Sequence, residues 1–277
     1  MNNVKTVCLL GGLTGLLLLL GELLGGGIRG AMVGLVLAVV MNGVAYFFSD
    51  RIVLAMYRAR PLDPGEFPRV HAIVEELSTR AEIPKPALYL IPSPALNAFA
   101  TGRNPNHASV AVTEGIVGAL REDELRGVLA HELCHVTNRD ILISTIAATL
   151  AGAITFLARM ALWFGGGRNS REGGNPVAAI AMLIFAPVAA FLIQMAISRS
   201  REYQADASGA RLAGYPDGLI SALQKLESGT RRAPLDANPA TAHMFIVMPF
   251  SGKSFLGLFQ THPPIEKRIE RLRSQRP

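Results

Sequence analysis

The chain of 277 residues is 50% hydrophobic and only 17% charged, with a mean hydropathy of +0.31, more apolar than an ordinary soluble domain, so part of it must sit in lipid. A net charge of +6 invites a nucleic-acid reading, but arginines beside apolar segments more often mark membrane topology and lipid headgroup contact. Neither nucleic acid nor, in the absence of a P-loop pattern, nucleotide is an expected partner, and the two cysteines, Cys8 and Cys134, give no support to a disulfide framework.

Four stretches are long enough to span a bilayer core, which takes about 20 apolar residues as a helix. The first covers residues 7–24. No small-residue cleavage pattern follows it and a second apolar run comes at once, so it reads as a retained anchor rather than a signal peptide. The second, residues 28–48, ends in Tyr46, Phe47 and Phe48, where an interfacial aromatic belt would lie. Together residues 5–49 form an expected transmembrane hairpin. Residues 50–140 turn soluble in composition, the first half of a polar domain. In it Phe67, Val70, Ile73, Val74 and Leu77 recur at helical spacing, with His71 on the polar side of the stripe.

Three β-prone runs follow, "ALYLI", "NAFATG" and "ASVAVT", the last two separated by the turn-rich "RNPNH". They outline a small antiparallel sheet. Asn97, Ala98, Phe99 and Ala100 then form a strand that is either ordinary or offers its outer edge to an extended peptide by backbone pairing.

A helix begins near Glu122, with Glu122, Asp123 and Glu124 in its first turn and an apolar stripe of Leu125, Val128, Leu129, Leu133 and Val136. It carries His131, Glu132 and His135. Two histidines at i and i+4 share one helical face, so both imidazoles reach one ion, and H-E-x-x-H on a helix is the zinc-peptidase signature. Glu132 stands beside the ion without being a ligand, placed to take a proton from a water and return it to a leaving amine.

The third and fourth expected spans, residues 141–164 and 177–197, make a second transmembrane hairpin over residues 141–197, with Pro187 inside the fourth. The polar domain resumes over residues 198–277. A catalytic zinc needs a third protein ligand and an open position, and the candidates are His243, His262 and carboxylates. Among these "SRSREYQAD" stands out, because Glu202 and Asp206 lie four apart on one helical face. One of them can ligate the ion while the other hydrogen-bonds a ligand histidine. The apolar run over residues 242–259, broken by Pro249 and Gly252, reads as a surface flap or as core. The excess of Lys and Arg beside the first and second spans favours cytoplasmic termini and polar regions.

"HELCH", "SRSREYQAD" after two intervening spans, "NAFATG" ahead of the first motif and "THPPIEKRI" near the end together resemble the M48 family of zinc peptidases, in its HtpX-type membrane branch. The likeness covers nearly the whole chain. It implies an α+β zincin-like catalytic domain, mainly α with a small antiparallel β-sheet, plus four transmembrane helices. It implies His131, His135 and Glu202 as ligands of one Zn2+ per chain, Glu132 as the catalytic glutamate, Asp206 as the aspartate of E-x-x-x-D, and Arg201, which precedes the ligand glutamate, as a partner of a nearby carboxylate or of substrate. Asn97 to Ala100 correspond to the substrate-facing strand, and His262 to the histidine of H-P-P, an oxyanion donor or simply the opening of a terminal helix. His243 matches no motif and is read as a non-ligand.

The expected partners are membrane-protein substrates and the lipid bilayer, in a bacterial inner membrane. Four spans are far fewer than the CaaX-processing branch uses, which favours cleavage of misfolded or damaged membrane proteins over processing of a specific peptide. The competing expectations are a zinc-stapled scaffold without activity and a transporter, the latter supported only by Glu22.

Overall fold

The computed structural model describes residues 2–25, 27–151, 199–232, 235, 237, 241–247 and 263–275. Two long helices, α1 (Asn2–Gly25) and α2 (Ile28–Met56), form an antiparallel pair. Glycines let them approach closely: a Cβ on Gly34 would lie 2.2 Å from the Leu17 carbonyl oxygen. Asn42 Nδ2 donates to Thr14 Oγ1 at 2.9 Å and to the Leu10 carbonyl at 3.2 Å, the polar cross-link expected where helices meet without a hydrophobic drive. Met32, Val33, Val36, Val39, Val40 and Phe47 are exposed along α2. So large an apolar face asks for a lipid or protein cover.

Among the described residues α2 is the one helix long and apolar enough to cross a membrane. The third expected span is described only as α6 (Ile141–Ala151), whose Ile143, Ile146, Ala147 and Leu150 pack on Leu9, Leu13 and Ala45 of the hairpin. The fourth lies outside the described residues. Instead of ending at Phe48, α2 runs on to Met56 and drives Val53, Leu54 and the following Tyr57 into a core shared with Phe99 and Phe245. One continuous helix therefore links the apolar hairpin to the polar domain.

That domain holds a four-stranded sheet of β1 (Arg60–Pro61), β2 (Ala87–Ile91), β3 (Ala98–Gly102) and β4 (Ala108–Thr113), in the order β1-β2-β4-β3. The sheet is mixed, which corrects the expected antiparallel one: β3 pairs antiparallel with β4, but β2 pairs parallel with β4. The short link over residues 92–97 reverses the chain while skipping one strand position, and β4, returning from a tight hairpin, fills it. Gly102, at φ +133°, lets that hairpin close, since a Cβ there would lie 2.1 Å from the His107 carbonyl oxygen. The sheet is covered on both faces, and the period of two divides it cleanly. Leu88, Leu90, Ala98, Ala100, Val110 and Val112 face one core, while Ile91, Phe99 and Ala111 face the other.

The first core is completed by α3 (Pro68–Arg80), α4 (Glu114–Ala119), α5 (Glu122–Thr137), α7 (Arg199–Ala213), α8 (Asp217–Arg232) and α9 (Ile265–Arg273). The predicted stripes of α3 and α5 are buried, and His71 is half-buried with Nε2 2.9 Å from the Leu62 carbonyl oxygen. At the start of α5 the fully buried Glu124 accepts from the Arg121 N–H, Ser221 Oγ and Lys225 Nζ at 2.6–2.8 Å, which ties α5 to α8. Burial opposes ionisation of Glu124, but these donors prevail and hold its carboxyl below the usual range. Arg139, at φ +58°, takes the left-handed position that ends α5, and α6 starts directly after Asp140.

Candidate metal centre

Helix α5 presents His131, Glu132 and His135, and α7 brings Glu202 opposite them. His131 Nε2 lies 3.2 Å from His135 Nε2 and 3.8 Å from Glu202 Oε2, and His135 Nε2 lies 3.5 Å from Glu202 Oε1. Tetrahedral coordination at about 2.0–2.1 Å sets neighbouring ligand atoms roughly 3.3 Å apart. Three donors with these separations, two imidazole nitrogens and one carboxylate, fit a single borderline divalent ion such as zinc. The other ring nitrogens face carboxylates: His131 Nδ1 is 3.0 Å from Asp206 Oδ1 and His135 Nδ1 is 3.3 Å from Asp140 Oδ2. A proton on each Nδ1 leaves each Nε2 lone pair directed at the shared point.

The electrostatics follow from burial. Burial, helped by the charges of Arg268 and His135, lowers the proton affinity of the His131 ring, the pull of Asp206 being too weak to reverse it. Burial lowers His135 as well, but the Asp140 hydrogen bond and the nearby Glu202 and Glu132 outweigh it and raise that ring to about 9. Glu132, only 2% exposed, is pushed up to about 8, chiefly by burial, with His135 opposing and Glu202 adding to the rise. Its carboxylate also accepts a hydrogen bond from the Ala100 backbone N–H. Burial pushes the Cys134 thiol up to about 12, so this sulfur offers neither a thiolate ligand nor a nucleophile.

Among the expected residues, then, His131, Glu132, His135, Glu202 and Asp206 converge, and Ala100 lines the same cavity. Arg201 NH1 sits 3.5 Å from Asp140 Oδ1, on the His135 side. Asn97 stands just before β3, its Nδ2 donating to the Val247 carbonyl. Ala98 and Phe99 are buried in β3. His243 lines the cavity but points Nε2 at the Ser144 carbonyl, 3.1 Å away, outside the donor triad. His262 lies outside the described residues. The start of the expected flap, Ala242–Val247, is buried, and its remainder also lies outside them.

Sequence reasoning missed Arg268. Fully buried in α9, it grips Asp206 with Nε at 2.8 Å and NH2 at 2.7 Å. The signal was available: Ile265, Arg268, Ile269 and Leu272 recur at i, i+3, i+4 and i+7, so Arg268 occupies a place in the apolar stripe. Gly209 was missed too, although a glycine inside a helix asks for a packing reason. A Cβ there would lie 2.9 Å from His131 Cα and N. Gly209→Ala is therefore expected to push α7 off α5, moving Glu202 from the histidines, and to weaken retention of a metal ion at the triad about tenfold or more. Competition with a graded chelator measures this, and helix content by circular dichroism should hardly change.

Residues 64–276 match Peptidase family M48. Proteins described as "Protease HtpX homolog" are 55% identical over 281 aligned residues in Desulfatibacillum aliphaticivorans (100% of this chain, 90% of that one) and 56% identical in Syntrophobacter fumaroxidans (99% of each). The Pyrococcus furiosus homologue is 56% identical, covering 98% of this chain and 94% of its own. The crystal structure of S. mikatae Ste24p aligns with a TM-score of 0.49 at 19% identity, over 98% of this chain and 65% of that one. A matched family spanning most of the chain, a donor triad and a buried glutamate beside it lead to one conclusion: the chain belongs to peptidase family M48 and is a metalloprotease.

Proposed function

We propose that the chain is a multi-pass integral membrane zinc endopeptidase that hydrolyses misfolded or damaged membrane proteins at the cytoplasmic face of a bacterial inner membrane. The observation that carries it is the donor triad of His131, His135 and Glu202 beside buried Glu132, built on a helix that leads straight into apolar α6. Substrate loops and tails emerging from lipid reach such a site first. The exposed apolar face of α2 supports the membrane assignment, and the homologues described as proteases support the chemistry.

In this reading His131, His135 and Glu202 hold the ion, Asp206 and Asp140 fix the two rings, and Arg201 steadies Asp140. When bound, zinc polarises the scissile carbonyl and acidifies the attacking water. Glu132, buried beside the donor triad without being part of it, takes the water's proton and delivers it to the leaving amine. Strand β3 holds the peptide extended, with Asn97 and the outward groups of Ala98 and Ala100 along its path. His262 is assigned to the oxyanion.

Metal removal tests the proposal. Purified full-length protein in detergent, stripped with a chelator, is expected to lose more than about 99% of its cleavage of a model membrane protein, a loss of roughly 3 kcal/mol or more in transition-state stabilisation. One equivalent of zinc should restore it. Cleavage that survives complete stripping, or none in the zinc-replete protein, would exclude this role, the second outcome favouring a zinc-stapled scaffold.

A further inference from the structure

The cavity that holds the metal donors measures about 30 Å³, and Met244, Phe245 and Ile246 form part of its wall. That volume admits an ion and a water. No peptide enters it without moving one of its walls.

The way that wall is held shows which part moves. The Ile246 N–H donates to the Ala98 carbonyl at 3.2 Å, on the side of β3 that faces away from β4. Asn97 Nδ2 donates to the Val247 carbonyl at 2.9 Å, and Arg268 NH1 to the Ile246 carbonyl at 2.8 Å. All three bonds grip backbone groups, which any extended peptide carries; two come from the edge of β3 and the residue just before it, the general mode by which sheets bind peptides, and the third from Arg268 on α9. Between them the Phe245 side chain, 1% exposed, enters an aromatic pocket. Its ring centroid is 5.2 Å from that of Tyr57 and 5.3 Å from that of Phe99, both edge to face.

From these contacts we infer that Phe245–Val247 is an internal occupant of the substrate cleft, a strap that a peptide substrate displaces and whose contacts it takes over. The inference rests on the peptidase reading and adds to it a resting, self-covered state and a preference. A substrate that replaces the strap meets the Tyr57–Phe99 pocket, so an aromatic side chain is favoured there. The strap and the substrate compete, and a cleft open only part of the time binds more weakly in proportion.

Hydrogen exchange on full-length Glu132→Gln with zinc, with and without an extended peptide containing one phenylalanine, tests this. Exchange of the amides over residues 242–247 is expected to rise at least tenfold on binding, while 98–102 stay protected. Unchanged exchange over 242–247 with the peptide demonstrably bound by fluorescence anisotropy overturns the strap. In the wild type, the phenylalanine peptide should be cleaved at least tenfold faster than its alanine counterpart, and equal rates overturn the pocket assignment. Phe245→Ala should raise kcat/KM for the same peptide about tenfold. Failure of the wild type to cleave either peptide counts against the peptidase reading, whereas the exchange result bears on the strap alone.

Discussion

Replacing Arg268 by methionine is expected to lower the thermal midpoint of the full-length protein by on the order of 10 °C and to weaken zinc retention at the same time. Arg268 has no exposure to solvent and gives Asp206 a two-pronged charge-assisted pair, while NH1 serves the Ile246 carbonyl. Removing one member of a buried pair leaves the other uncompensated, which costs about 3–5 kcal/mol. The pair also reaches the metal site, because Asp206 Oδ1 sits against His131 Nδ1.

The sign of the pH dependence follows from Asp206. Burial pushes its carboxyl up, but the Arg268 charge and hydrogen bonds outweigh burial and hold it at about 2. An unfolded aspartate titrates near ~3.9. The folded value is depressed, so its contribution to stability is fully present above about pH 4 and is lost as the pH falls towards about 2. In Arg268→Met the carboxyl loses its main partner, and the acid limb of the melting profile should move to higher pH. The double variant Arg268→Met/Asp206→Asn separates the two effects. It should recover much of the midpoint, the unpaired charge being gone, yet not zinc retention, since the His131 ring then lacks its carboxylate. A midpoint within 2 °C of wild type for Arg268→Met would show that the pair does not support the fold.

How far the sequence discloses this site depends on the kind of contact. Local chemistry is legible: two histidines and a glutamate within one helical turn announce their shared face, and the Glu202 and Asp206 spacing announces another. Helix stripes are equally legible, as the burial of α3 and α5 shows. Contacts decided by assembly are not. Nothing local in "ALYLI" says that β4 rather than β3 will lie beside it, because strand order depends on how the link over residues 92–97 crosses the sheet. Arg268 looks like a surface charge until α9 docks, and Asp140 looks like a loop residue until the turn at Arg139 folds it back on His135. Phe245 is similar: an apolar run interrupted by proline and glycine has no periodicity, so its seat between Tyr57 and Phe99 is visible only in three dimensions.

In the proposed mechanism Glu132 moves the proton of a zinc-assisted hydrolysis, and a paired measurement on this residue checks that step. Wild type and Glu132→Gln, full length in the same detergent, are given the same model membrane substrate, and the zinc content of both is measured. Glutamine keeps the size and polarity of the side chain but cannot accept the proton. Because Glu132 is not a ligand in this account, the variant should retain one zinc per chain while its cleavage rate falls on the order of 10³-fold. Glu132→Gln with zinc bound and proteolysis undiminished would show that Glu132 is not the proton carrier.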